Sequence, residues 1–252
     1  LKEMQIRDGL HIFGESPKDS LRNNLLLALM RSPRGTEVKD GSITRALAKD
    51  LNMSFDPLDC TMSDAWLGPK PSILRTDKSW RTNGDTVERL EDLALALVSH
   101  TEKVGESWNA TYPVLQDLKN RIAPNLDRCG TNELAEIINA LSGKFVAPGP
   151  SGAPTRGRPE VLPTGRNFYS LDTRAVPTQS AWQLGWKSAQ RLIEHHAQCH
   201  GNWPTSIALS AWGTSNMRTG GDDIAQALAF LGARPQWDSI SGRVIGFEIL
   251  PL

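Results

Sequence analysis

The stretch GKFVAPGPSGAPTRGRPEVLPTG, residues 143–165, constrains this chain more than any other. Ten of its 23 residues are glycine or proline. Proline removes a backbone donor and glycine is entropically costly to order, so no regular element is expected there. A loop this long is either functional or a linker. It also divides two kinds of pattern. Residues 1–142 read as a mainly helical region, 143–177 as a Gly/Pro/Arg-rich loop, and 178–252 as an α/β unit. The expected fold class is α/β: a mainly helical N-terminal half followed by an α/β unit with a short parallel sheet.

Helical spacing carries the first half. Leu21–Arg31 is an apolar-rich helix that stops before Pro33, and Ser42–Leu51 is a second. In Asp85–His100, Val87, Leu90, Ala94, Leu97 and Val98 recur at helical spacing, and Asp85 with Glu88 suggests a capping box. Thr131–Leu141 is amphipathic, whereas 53–84 has no period. In the second half a long helix is expected over Thr178–His200. Its stripe holds Trp182, Gly185, Trp186, Ala189, Leu192, Ile193 and His196. Ile207–Trp212 reads as a strand, Asp222–Leu231 as a helix stopped by Gly232, and Arg243–Leu250 as a strand. Strand, helix and strand at these lengths predict a parallel crossover.

Charge excludes one class of function. Lysine plus arginine and aspartate plus glutamate are both 28, so the chain lacks the basic excess of a general nucleic-acid binder. No apolar run is long enough for a membrane span, and no apolar signal segment opens the chain. The three cysteines, Cys60, Cys129 and Cys199, are odd in number and far apart, which fits a reducing cytoplasm. The chain begins with Leu1 and reads as a piece of something longer.

Three constellations could carry chemistry. The first, WGTSNMRTGGDD from Trp212 to Asp223, lies at an expected strand-to-helix junction, where α/β sheets bind ligands. Thr214, Ser215, Asn216, Arg218 and Thr219 offer polar groups there, and Gly220 and Gly221 permit close backbone approach. Free N–H groups at the helix start would favour an anion, but Asp222 and Asp223 in that first turn would neutralise such a site or cap the helix themselves. The segment is neither a Walker loop nor a dinucleotide fingerprint. The second is the loop itself. Lys144, Arg156, Arg158 and Arg166 face one acid, Glu160, a local formal charge of +3, and Asn167, Phe168 and Tyr169 follow. Guanidinium groups hold carboxylates bidentately, so this loop suits a large planar ligand with acidic side groups, or else is simply solvated. The third is HHAQCH, where His196 and His200 share a helical face at a metal-compatible spacing, or pack against the core.

Several long strings resemble the CobN/magnesium-chelatase H-subunit family, on the side of the aerobic cobaltochelatase large subunits. They are LKEMQIRDGLHIFG, RSPRG, WRTNGDTVERLE, FVAPGPSGAPTRGRPEVLPTGRNFYSLDTRAVPT, WGTSNMRTGGDDIAQALA and SGRVIGFEILP. The resemblance implies a cytoplasmic fragment of the ring-binding subunit of a chelatase. That enzyme inserts Co²⁺ into hydrogenobyrinic acid a,c-diamide in aerobic cobalamin biosynthesis. An AAA+ ATPase and a second small subunit would be its partners and would bind Mg-ATP, with no cofactor on this fragment. Arg156, Arg158, Arg166, Asn167, Tyr169, Thr214, Asn216, Arg218 and Thr219 become expected contacts to a carboxylate-bearing tetrapyrrole. Asp222 and Asp223 are the local candidates for taking ring protons, and the fragment alone is expected to be inactive. The alternatives are a magnesium-chelatase subunit acting on protoporphyrin, and a non-catalytic docking module for the ATPase subunits.

Overall fold

The computed structural model describes residues 11–250 apart from 36, 106, 170, 171, 239 and 240. The readings made on residues 1–10 and on the side chains of Phe168 and Tyr169 lie outside the described residues. The chain divides into two units, Leu1–Val146 with Leu162–Gly165, and Ala147–Val161 with Arg166–Leu252.

The first unit is helical. Its elements are α1 (Asp19–Arg31), α2 (Ile43–Asp50), α3 (Asn83–Val98), α4 (Thr111–Asp117), α5 (Ala123–Asp127) and α6 (Cys129–Leu141). Leu26, Leu29 and Met30 of α1 meet Ile43 and Leu47 of α2, Leu90 and Leu97 of α3, and Val114 of α4 in one buried core. Caps set the boundaries. The Ser42 hydroxyl accepts the Arg45 N–H at 3.4 Å at the start of α2. The box expected at Asp85 and Glu88 lies three residues earlier. The Thr82 hydroxyl accepts the Asp85 N–H, and the Asp85 carboxylate accepts the Thr82 N–H at 2.9 Å. Thr82 wins because a hydroxyl at the N-cap and a carboxylate at the third helical position satisfy two orphan donors at once. The N–H groups of Arg81 and Thr82 hold the Asp85 carboxyl below its ordinary range.

Spacing in the sequence marks no separate helix over 111–127 within the mainly helical half, and Pro113 and Pro124 lie there. Both prolines fall in first turns, where a missing N–H costs little, and a π-helical turn at Leu118–Ile122 joins the two pieces. The Asp50 carboxylate, at the end of α2, accepts the N–H groups of Ala110 and Thr111 at 3.1 and 2.7 Å and so caps α4 from 60 residues away. A buried ion network lies beside it. The Arg34 side chain is fully enclosed, 3.7 Å from Asp117, which also takes a bidentate hydrogen bond from Arg121. Burial lowers Arg34 to about 10, against the pull of Asp117.

Both ends of the Gly/Pro stretch, 143–146 and Leu162–Gly165, belong to this unit. Leu162 is buried in its core, and the Asn132 side chain donates to the Thr164 carbonyl. Gly165 adopts φ +81°, and a Cβ there would fall 2.7 Å from the backbone of Asn132 and Glu133.

The second unit holds α7 (Gln179–His200), α8 (Gly213–Thr219), α9 (Asp222–Phe230) and four short strands: β1 (Pro148–Pro150), β2 (Asn167–Tyr169), β3 (Ala233–Trp237) and β4 (Val244–Ile249). Thr178 caps α7, its hydroxyl accepting the Ala181 N–H at 3.2 Å, and Gly201 ends it in a left-handed conformation. The helix α7 packs on α9 through Ala181, Trp182 and Ala225. Of the expected α7 stripe, Trp182, Gly185 and Ala189 are buried, whereas Trp186 and Leu192 are exposed.

The expected crossover does not form. Ile207–Trp212 has no regular structure, and α8 occupies the expected strand-to-helix loop. β4 pairs instead with β3, antiparallel, from Ala233↔Ile249 to Trp237↔Val244. A strand needs a neighbour for its backbone groups, and β3 is the one reached by a short turn, at less closure entropy than a crossover. The Asp238 N–H donates to the Arg243 carbonyl at 2.8 Å to close that turn. The parallel pairing lies elsewhere, between β1 and β2, with Pro148 opposite Asn167, inside the stretch where no regular element was expected. Prolines 148 and 150 are tolerated because the strand is a three-residue edge.

Candidate ligand-binding site

The second unit gathers most of the polar residues that the sequence singles out around one loop. After β1 the chain turns at Pro154–Arg156 and again at Pro159–Val161. Gly157, at φ +75°, permits the reversal after Arg156. Two hydrogen bonds pin this loop. The Ala153 N–H donates to the Arg218 carbonyl at 3.2 Å, and the Ser180 hydroxyl donates to the Arg156 carbonyl at 2.7 Å. The main chain of α8 and the first turn of α7 therefore fix where Arg156 stands.

The Arg156 guanidinium lies 3.5 Å from the Asp222 carboxylate. That is longer than a charge-assisted hydrogen bond, and the Arg156 side chain keeps 39% exposure. The other Asp222 oxygen, Oδ1, is buried without a hydrogen-bond partner. Burial pushes the Asp222 carboxyl up, Arg156 opposes the shift, and the neighbouring Asp223 adds to it.

Neither aspartate caps α9 with its own side chain. The Thr219 hydroxyl accepts the Asp222 N–H at 3.2 Å and donates to the Ser215 carbonyl at 3.1 Å. Asp223 accepts a hydrogen bond from Asn216 at 3.0 Å. Asn216, 6% exposed, also donates to the Trp212 carbonyl, while its own Oδ1 is buried and unpartnered. Asn216 thus clamps α8 to α9 from inside and is not on the surface.

The paired glycines have a packing role. Gly220 and Gly221 have φ +79° and +99°, and the Thr178 N–H donates to the Gly220 carbonyl at 2.9 Å. A Cβ on Gly220 would fall 2.8 Å from the Thr178 hydroxyl, and one on Gly221 would strike Val176. The close approach is to Val176–Thr178 of the same unit.

The remaining sequence candidates separate into used and available groups. Arg158 is buried, donating to Glu160 at 2.8 Å and to the Ser151 carbonyl at 2.9 Å, so it serves the loop's own architecture. Arg166 is exposed at the entry to β2, its stem against Gly149, and Asn167 beside it is exposed. Thr214 and Arg218 are exposed on α8. Tyr169 contributes its backbone to β2. At the end of α7, the His196 and His200 rings stack with centroids 4.5 Å apart, and Cys199 lies 3.7 Å from a ring nitrogen of His195. Among the described residues, no group of three or more His, Cys, Asp or Glu is arranged to hold a metal. Nor is any helix among them long and apolar enough to cross a membrane.

Sequence reasoning passed over Glu133 of the first unit. It is 3% exposed and accepts hydrogen bonds from the Gly14 N–H at 2.7 Å and from the Thr164 hydroxyl. Its signal was an acid in the second turn of an amphipathic helix, which alone reads as solvated.

The second unit thus sets an arginine-bearing loop against a half-buried carboxylate with one oxygen unpartnered. The chain belongs to the CobN/magnesium chelatase family, whose model matches residues 1–252. It is 55% identical to the aerobic cobaltochelatase subunit CobN of a Sinorhizobium species and 53% identical to that of Pseudomonas aeruginosa. In each case all of this chain aligns with 21% of the relative, so the chain spans about a fifth of the length of the curated relatives it matches. The catalytic subunit of cobaltochelatase from Mycobacterium tuberculosis has a similar structure, with TM-score 0.68 and 34% identity, over 97% of this chain and 19% of that one.

Proposed function

We propose that this chain is part of the ring-binding large subunit of a cobaltochelatase. In that reading the whole subunit inserts Co²⁺ into a carboxylate-bearing tetrapyrrole, hydrogenobyrinic acid a,c-diamide. An AAA+ ATPase and a second small subunit are its partners and supply ATP hydrolysis. The reading is carried by the alignment of the entire chain with subunits named CobN. The metal is the substrate, and this chain's residues serve the ring.

Arg156, Arg166 and Arg218 are the cations available for peripheral carboxylates. Arg158, already committed within the loop, is not. Asp222 holds Arg156 at 3.5 Å while the ligand is away. Burial pushes its carboxyl up and Arg156 opposes that shift, so a ligand carboxylate would compete with Asp222 for the same guanidinium. Asp222 and Asp223 then act as pairing and clamping groups. The test is tetrapyrrole binding to the full-length subunit, read by fluorescence quenching. Arg156→Ala and Arg166→Ala should each weaken binding by about tenfold, the worth of one charge-assisted hydrogen bond. Unchanged affinity in both variants removes the arginine loop from the site.

A further inference from the structure

The last two turns of α7 carry four metal-ligating side chains that the arginine loop does not use. His195 and Cys199 form one column four residues apart, and His196 and His200 form the next. His195, Cys199 and His200 are exposed, and the Cys199 thiol is free. The Cys199 Sγ lies 3.7 Å from His195 Nε2 and 3.9 Å from Nδ1. The His196 and His200 rings instead stack on each other, with centroids 4.5 Å apart. The adjacent acid, Glu194, accepts a hydrogen bond from Gln190 at 3.0 Å.

The separation within the first pair is that of a chelate. Tetrahedral bonds of about 2.3 Å to a thiolate sulfur and about 2.0–2.1 Å to an imidazole nitrogen put the two donors roughly 3.6 Å apart. The observed 3.7 Å meets that requirement without movement of the main chain. A sulfur and an imidazole nitrogen together favour Zn²⁺ or Co²⁺ over the oxygen-seeking Mg²⁺ and Ca²⁺. The carbonyl end of this 22-residue helix adds its negative partial charge. Two protein donors leave the remaining positions to water, so an ion held here exchanges readily.

We infer that Cys199 and His195 form a labile site for a thiol-seeking divalent ion of the Zn²⁺ and Co²⁺ class. On binding, the Cys199 S–H bond breaks, its proton goes to water, and the sulfur lone pair bonds the metal. Neutral His195 supplies the Nε2 lone pair. No electrons change hands. The site is separate from the arginine loop. Ser180, which holds the Arg156 carbonyl, lies in the first turn of α7, about 22 Å from His195 along a helix rising about 1.5 Å per residue. An ion at His195 is therefore away from the proposed ring contacts, and the inference does not depend on the chelatase reading.

The test titrates the reduced, metal-free chain with Co²⁺ alone. Thiolate bound to Co²⁺ gives a sulfur-to-metal absorption band in the near ultraviolet, and a tetrahedral ion gives intense visible bands. Both should rise together and saturate. Cys199→Ser should abolish the sulfur band. His195→Ala keeps the thiol and should weaken Co²⁺ binding by more than about tenfold, since even an outer-shell partner is worth that much. Both side chains are exposed, so both variants should keep the wild-type melting temperature. Zn²⁺ should displace the Co²⁺, and Mg²⁺ should not. A sulfur band that survives Cys199→Ser places the thiolate at Cys60 or Cys129 and overturns the inference. Binding lost in His196→Ala or His200→Ala but kept in His195→Ala overturns it too. So does a wild-type chain that shows no sulfur band, an outcome that leaves the chelatase reading standing because that reading is tested on tetrapyrrole binding.

Discussion

Asp222 shows how far the chemistry of one residue depends on its surroundings. Its carboxyl is pushed up because burial penalises the charged form more than Arg156 relieves it. The folded state therefore binds the proton more tightly than the unfolded state does. Stability from this group is gained as pH falls through the raised value, and lost as pH rises from the ordinary carboxylate range through that value. Asp222→Asn mimics the protonated form. Its stability relative to wild type should be greatest at neutral pH and should shrink as pH falls toward the ordinary carboxylate range, as read from urea midpoints. A gap that is flat with pH would mean that Asp222 is ionised at no cost. The sequence marked Asp222, Arg156 and Arg218 as chemically useful from residue type and loop position alone. It did not reveal that Arg158 is enclosed by Glu160 and Ser151, because those contacts follow from a turn at Gly157.

At the scale of elements, packing in the second unit rests on one glycine. A Cβ on Gly185 of α7 would lie 2.6 Å from both the Ala225 Cβ and the Gln226 nitrogen of α9. Gly185→Ala should lower stability by about 1–3 kcal/mol through overpacking, seen as an earlier thermal transition. Since alanine favours helix intrinsically, an unchanged or raised melting temperature would show that α7 and α9 shift apart freely. Helices with apolar periodicity and a local cap were legible: α1, α2, α3, α6, α7 and α9 lie where spacing put them, within a few residues. The helices α4 and α5 were not, since Pro113 and Pro124 obscured them and the α4 cap comes from Asp50. Ile207–Trp212 failed in the other direction. Its residues have strand propensity, but no described strand stands beside it to take its hydrogen bonds.

The whole molecule is uneven in how it is held together. Among the described residues, the first unit buries a large cluster of leucines, isoleucines and tryptophans, whereas the buried core of the second is Ala181, Trp182 and Ala225. Large apolar side chains in the second unit remain exposed, among them Trp203, Trp212, Ile245, Phe247 and Ile249. Amides of α9 and of the β3–β4 hairpin should therefore exchange with deuterium faster than those of α1–α3 in this 252-residue chain. Equal protection in both units would refute the unevenness. The sequence by itself determined the helix-forming segments, the place where regular pattern breaks at residues 143–165, and the family. Each of these depends on local spacing or on long matching strings. Only the tertiary structure decided that the two ends of that stretch serve one unit and its middle, Ala147–Val161, the other, that β4 pairs antiparallel, and that Glu133 meets His11. Those outcomes depend on which backbone and carboxylate groups find partners outside their own element, and no local pattern encodes that choice.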